Sequence, residues 1–173
     1  MIVVCPLSEV EKTVASNGAD RVISLLSAGT GMTRPASVAE ANHLLLTMHD
    51  IAEPMEGMTP PDEAHVRSIL SFAGQWDRAR PLVVHCFAGV SRSTAAAYTI
   101  AAALAPERDE VELALALRRA SPTATPNPRV IAIADALIGR NGRMVEAIAK
   151  IGRGADVGET GAAKPFNFRI AST

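Results

Sequence analysis

His85-Cys86-Phe87-Ala88-Gly89-Val90-Ser91-Arg92-Ser93 is the stretch of this chain whose residue types could do chemistry. It sets a cysteine and an arginine at the two ends of a short loop, with a glycine between them and a serine just after. An apolar run, Pro81-Leu82-Val83-Val84, leads in, and an alanine-rich segment, Thr94 to Leu104, leads out. The pattern predicts a loop that joins a buried strand to the first turn of a helix. Backbone N–H groups at a helix start have no intrahelical partner, and the helix dipole favours negative charge there. A phosphate oxyanion fits such a place, with a sulfur beneath it.

Each residue type suits that chemistry. A thiol near a helix N-terminus and a cation ionises below its usual value of about 8.5, which makes Cys86 a candidate nucleophile. Arg92 offers a planar fork that can grip two phosphate oxygens, which lysine cannot do. Gly89 can take backbone angles that let loop amides turn inward. With it, Phe87, Ala88, Val90, Ser91 and Arg92 are the candidate substrate-binding residues. Ser93 could donate a hydroxyl hydrogen bond to the sulfur and help it leave. His85 is expected to support the loop through its ring nitrogens rather than act as a base. The competing reading of Cys86 is a buried core thiol, common for a lone cysteine.

The segment resembles the signature of the cysteine-dependent protein tyrosine phosphatases: His-Cys, five residues, then Arg-Ser/Thr closing around a phosphate. Every fixed position of that pattern is present. The resemblance implies a phosphomonoester hydrolase, with a protein tyrosine or dual-specificity phosphatase as the leading reading. It implies no cofactor and no metal. Compact dual-specificity enzymes carry their general-acid aspartate just after the strand preceding the catalytic strand. Asp50, in Met48-His49-Asp50-Ile51, stands in that place, and there is no Trp-Pro-Asp sequence here. Glu53, Glu56 and Asp62 remain alternatives. Those enzymes often also have an arginine-bearing helix and then a Pro-Asn pair. Arg118-Arg119 and Pro126-Asn127 look similar, with Asn127 expected as a helix cap that could brace the loop. Inositol-lipid phosphatases that resemble this family carry lysines where Phe87 and Ala88 stand, which weakens a lipid substrate.

The elements must place these groups together. Ile2–Cys5, Arg21–Leu26, His43–Met48 and Pro81–His85 are predicted strands. Helices are expected from Ser8 to Asn17 with a Ser8/Glu11 capping box, over Ser37–Asn42, and from a Thr59 cap with Pro60 at the first position. More follow from the loop to Leu104, from Asp109 to Ala120, from Asn127 to Leu137, and from Asn141-Gly142 to Ile151. The class is therefore α/β: a mainly parallel central sheet of about four strands flanked by helices, with a helical C-terminal part. In parallel βαβ units the loops after strands share one edge of the sheet, where ligands bind. Cys5, ending the first strand, reads as a buried strand residue, or as a thiol that could pair reversibly with Cys86.

Bulk composition narrows the rest. The chain has 173 residues, 48% hydrophobic and 20% charged, enough for one real core. A catalytic domain over 1–151 and a Gly/Ala-rich tail over 152–173 are expected. Net charge is −1 with no basic block, which argues against nucleic acid as a partner. The expected partner is a phosphorylated protein or a small phosphomonoester. No apolar run approaches membrane-spanning length, and the first residues lack a signal-peptide pattern. With two cysteines, the expected compartment is the cytoplasm. Two other functions compete: a phosphate-binding module of the same fold with little turnover, and sulfur transfer by a rhodanese-like loop cysteine. The His85-Cys86 start and the Arg92-Ser93 close favour phosphate.

Overall fold

The computed structural model describes residues 1–170, and 171–173, the end of the expected tail, lie outside them. The chain opens with β1 (Ile2–Pro6), a one-turn 3-10 segment (Leu7–Glu9) and α1 (Val10–Asn17). Then come β2 (Arg21–Leu26), β3 (His43–Thr47), α2 (Glu63–Gly74) and β4 (Leu82–Cys86). A run of helices follows: α3 (Arg92–Leu104), α4 (Glu110–Ala120), α5 (Pro128–Leu137) and α6 (Arg143–Ile151). A short β5 (Phe166–Phe168) ends it.

The sheet order is β3-β2-β4-β1-β5. β1, β2, β3 and β4 run parallel, as the sequence predicts. β5 adds a fifth, antiparallel strand beside β1, pairing Ile2 with Phe168 and Val4 with Phe166. The sequence pattern does not announce it, because three residues are too few to show a period of two. β4 is central, and all five of its residues are buried. Its C-terminal end therefore delivers Cys86 to the middle of the sheet edge.

α3 is the buried hub. Every residue from Arg92 to Ala102 is buried, and its alanines let neighbouring helices come close. Tyr98 satisfies its hydroxyl inside this core by donating to Glu110 O at 2.9 Å. The main apolar cluster lies between the α3 side of the sheet and the helices, with Val4, Val84, Ile69, Leu113 and Phe168 in it. A smaller one, with Val3, Val22, Val83 and Val14, lies on the α1 side. No helix among the described residues is long and apolar enough to cross a membrane.

Three helix starts differ from expectation. The Ser8/Glu11 capping box does not form, since residues 7–9 tighten into the 3-10 turn and no side chain caps α1. The helix expected over Ser37–Asn42 is only a 3-10 turn, Glu40–Asn42. α2 begins three residues later than its Thr59-Pro60 signal. Asp62 is the cap, accepting from His65 N at 2.9 Å, while His65 Nδ1 takes the Asp62 N–H at 3.2 Å. This reciprocal pair satisfies two free donors at once, so it wins over a threonine four residues upstream from the helix.

Candidate active site

The loop between β4 and α3 is held from outside by its carbonyls. Leu7 N donates to Phe87 O at 3.1 Å and Ala163 N to Ala88 O at 2.8 Å. Thr125 N donates to Val90 O at 3.0 Å and Asn127 N to Ser91 O at 3.3 Å. The amides of residues 87 to 92 find no acceptor among the described residues. Carbonyls turned out leave amides turned in, at the N-terminus of a 13-residue helix. That is a nest for an anion.

Gly89 makes the turn possible. Its φ is +72°, and a Cβ there would stand 2.8 Å from Pro6 N and 2.9 Å from Cys5 C. It lies against the end of β1 rather than on the pocket wall, which is formed by Cys86, Phe87, Ala88, Val90, Ser91 and Arg92.

Cys86 is 1% exposed at the floor. Its Sγ lies 3.1 Å from Ser93 Oγ, which is fully buried beneath it. Arg92 Nη1 is drawn back, donating to Met48 O at 2.7 Å and Ser27 Oγ at 3.2 Å. Its Nε is buried without a hydrogen bond, 3.8 Å from Asp50 Oδ2. The Nε–Nη2 edge is thus the side of the fork left to grip two oxygens.

Asp50 lies on the same pocket. Its Oδ1 accepts from Ser91 Oγ at 2.7 Å and Asn127 Nδ2 at 2.8 Å. Oδ2 makes no hydrogen bond among the described residues, so one oxygen is anchored and the other stands unanchored, 3.8 Å from Arg92 Nε. Asn127 also stands at the start of α5. Its Oδ1 caps α5 by accepting from Arg129 N and Val130 N, each at 3.1 Å. Arg129 ties the Asp50 loop to α5 through Pro61 O at 2.6 Å and Ala52 O at 3.2 Å. Glu53 and Glu56 are exposed and off the pocket wall, and Asp62 is spent on capping α2.

His85 is buried behind the loop, its Nε2 2.7 Å from Ser24 Oγ. Burial holds its pKa down to about 4, against an opposing effect of the Cys86 backbone. Cys5 pairs in register with His85. In-register parallel neighbours face the same way and successive residues face opposite ways, so Cys5 lies on the sheet face away from Cys86. There it packs with Val3 and Val83, and burial pushes its thiol up to about 12. A Cys5–Cys86 bond would need the strands to rearrange.

Sequence reasoning missed one wall. Arg153, Ala155, Asp156 and Val157 line the pocket of about 630 Å³ together with Asp50 and Ala52. Arg118 fixes this segment by donating to the carbonyls of Ala124, Ile151, Gly152 and Arg153 at 2.8–3.3 Å. Gly154 presses on residues 123–124 so closely that a Cβ would meet Thr123 C and O at 2.6 Å. The glycine is the one sequence signal that could have pointed there.

No family model matches the sequence, and no curated protein matches it significantly. Solved structures do match in fold. DUSP15 aligns over 86% of this chain and 88% of its own at 16% identity, with a TM-score of 0.62. The PTP-2 phosphatase of Cydia pomonella aligns over 77% and 83% at 17% identity, with a TM-score of 0.58. Human DUSP28 aligns over 82% and 87% at 18% identity, with a TM-score of 0.56.

Proposed function

We propose that this chain, whose fold is that of the compact dual-specificity phosphatases, hydrolyses phosphomonoesters through a cysteinyl-phosphate on Cys86. The observation that carries the reading is convergence. Cys86 Sγ, the free edge of Arg92 and the unanchored oxygen of Asp50 meet in one pocket floored by unpaired amides.

The steps follow from the geometry. Phosphate oxygens take the loop amides and the Nε–Nη2 edge of Arg92, which stabilise the charge in the transition state. Cys86 Sγ attacks phosphorus, an S–P bond forms, and the ester O–P bond breaks. Asp50 gives its proton to the departing oxygen. Water then attacks phosphorus, Asp50 takes a proton from it, and the S–P bond breaks. Ser93 donates a hydrogen bond to the leaving sulfur. The chemistry asks for no cofactor and no metal. Phosphorylated proteins are the leading substrate class, with tyrosine or serine/threonine left to assay, and a small or lipid phosphate is the alternative.

A panel of phosphotyrosine and phosphoserine peptides, phosphoinositides and nucleotides tests the reading, with Cys86→Ser as the blank. Turnover of at least one class above that blank is expected, and no turnover of any would favour a binding module.

Arg92→Lys is expected to be nearly as damaging as Arg92→Ala. A lysine cannot hold Met48 O and still offer two parallel donors to the substrate. Loss of one such donor typically lowers kcat by about 10²–10³. Steady-state kinetics on an aryl phosphate check it, and a lysine variant that kept most of its kcat/KM would remove the two-pronged role.

A further inference from the structure

Ser24 stands on β2 with its hydroxyl between two imidazoles. Ser24 Oγ lies 2.8 Å from His43 Nε2 on β3 and 2.7 Å from His85 Nε2 on β4. Ser24 and His85 are fully buried, while His43 is half-buried on the outer strand of the sheet. The three side chains thus run from the sheet's free edge to the residue before Cys86.

A hydroxyl has one proton to give. It can serve one ring only, so the other ring must give its own Nε2–H to the serine oxygen. The two histidines therefore cannot choose tautomers independently. Burial holds the pKa of both below the ordinary value, with Arg34 adding to the effect on His43 and His43 to that on His85. Both rings are neutral near pH 7, and two directions of the chain exist.

The surroundings of His85 choose between them. Its Nδ1 is buried with no hydrogen-bond partner among the described residues. The Cys86 backbone beside the ring acts in the sense that favours the protonated ring, and with Nε2 taken up by Ser24 the nitrogen left for that backbone is Nδ1. The favoured direction is then His43 Nε2–H to Ser24 Oγ, Ser24 O–H to His85 Nε2, and the His85 proton on Nδ1, towards the Cys86 peptide. The Cys86 carbonyl and the Phe87 N–H belong to one peptide plane. Holding that plane holds the first amide of the loop, which has no acceptor among the described residues.

We propose that His43, outside the loop and on the edge strand, fixes the tautomer of His85 through Ser24 and so sets the peptide plane that follows Cys86. It is a positioning residue, and the inference rests on the catalytic reading above.

The test uses the full chain. Imidazole ¹⁵N shifts report the His85 tautomer, and iodoacetate, an anion drawn to the loop, reports Cys86 reactivity by mass mapping. His43→Gln can still donate to Ser24 and should keep both near the parent values. His43→Glu can only accept when ionised. It should pull the Ser24 proton outward, move the His85 proton to Nε2 and slow Cys86 alkylation several-fold. His43→Asp brings the same charge but stops short of Ser24, and should behave like His43→Gln. Equal slowing by aspartate and glutamate, or an unchanged His85 tautomer in His43→Glu, overturns the proposal. If His43→Glu does not fold, Ser24→Ala cuts the chain without adding charge. It should give mixed His85 tautomers and slower alkylation, and parent-like behaviour overturns the proposal. A His85 tautomer that answers to residue 43 in a chain with no phosphatase turnover supports the relay while removing the catalytic reading.

Discussion

Cys86→Ser is expected to bring phosphate-ester hydrolysis to background while phosphate binding stays close to that of the parent chain. Serine keeps the size of the floor residue and can still meet Ser93 Oγ, 3.1 Å from the sulfur it replaces. The loop amides and the free edge of Arg92 are untouched, so the anion keeps its partners. What goes is the nucleophile, since an alcohol is weak without a base beside it. His85, the nearest imidazole in sequence, points its Nε2 to Ser24 instead. Turnover of an aryl phosphate and titration with inorganic phosphate measure the two halves. Hydrolysis near the parent rate would remove Cys86 from the mechanism.

Asp50→Asn should give the second largest effect, and one that depends on the leaving group. The amide oxygen can still accept from Ser91 and Asn127, as Oδ1 does now, so the loop stays in place. The proton is lost. A general acid typically contributes about 10²–10⁴-fold, and alkyl or tyrosyl phosphates should lose rate in that range. An activated aryl phosphate, which leaves without a proton, should lose far less. The basic limb of the pH–rate profile should also flatten, because that limb reports loss of the proton from the acid. If Asp50→Asn moves neither readout, the proton comes from elsewhere. Asp156, the other carboxylate on the pocket wall, is then the first to replace.

The loop from Cys86 to Arg92 is legible in the sequence because everything that builds it is local. An apolar strand, a glycine where φ must be positive and an alanine-rich helix lie within about two dozen consecutive residues, and periodicity rules are strongest there. Asp50 is legible by a topological rule, since loops after parallel strands share one edge. Asn127 is legible as a cap, but not its second bond to Asp50, which spans 77 residues. The wall from Arg153 to Val157 is not legible. Its place is set by the Arg118 side chain holding carbonyls up to 35 residues away and by one close glycine contact, neither of which leaves a periodic trace. The same holds for the Ala163 N–H on Ala88 O, which makes the C-terminal segment a strut of the loop. The late start of α2 shows the limit of local rules. Thr59 and Asp62 both suit a cap, and His65 on the third helical residue decides between them.

The proposed hydrolysis turns on a covalent bond between phosphorus and Cys86. Rapid acid quench during turnover of a fast aryl phosphate, followed by peptide mass mapping, tests it most directly. The expected result is the mass of one phosphoryl group on the peptide that carries Cys86, absent in Cys86→Ser, and enriched in a variant whose second step is slowed, such as Ser93→Ala. Sustained hydrolysis with no phosphoryl group on that peptide, or with the group on another residue, would contradict it.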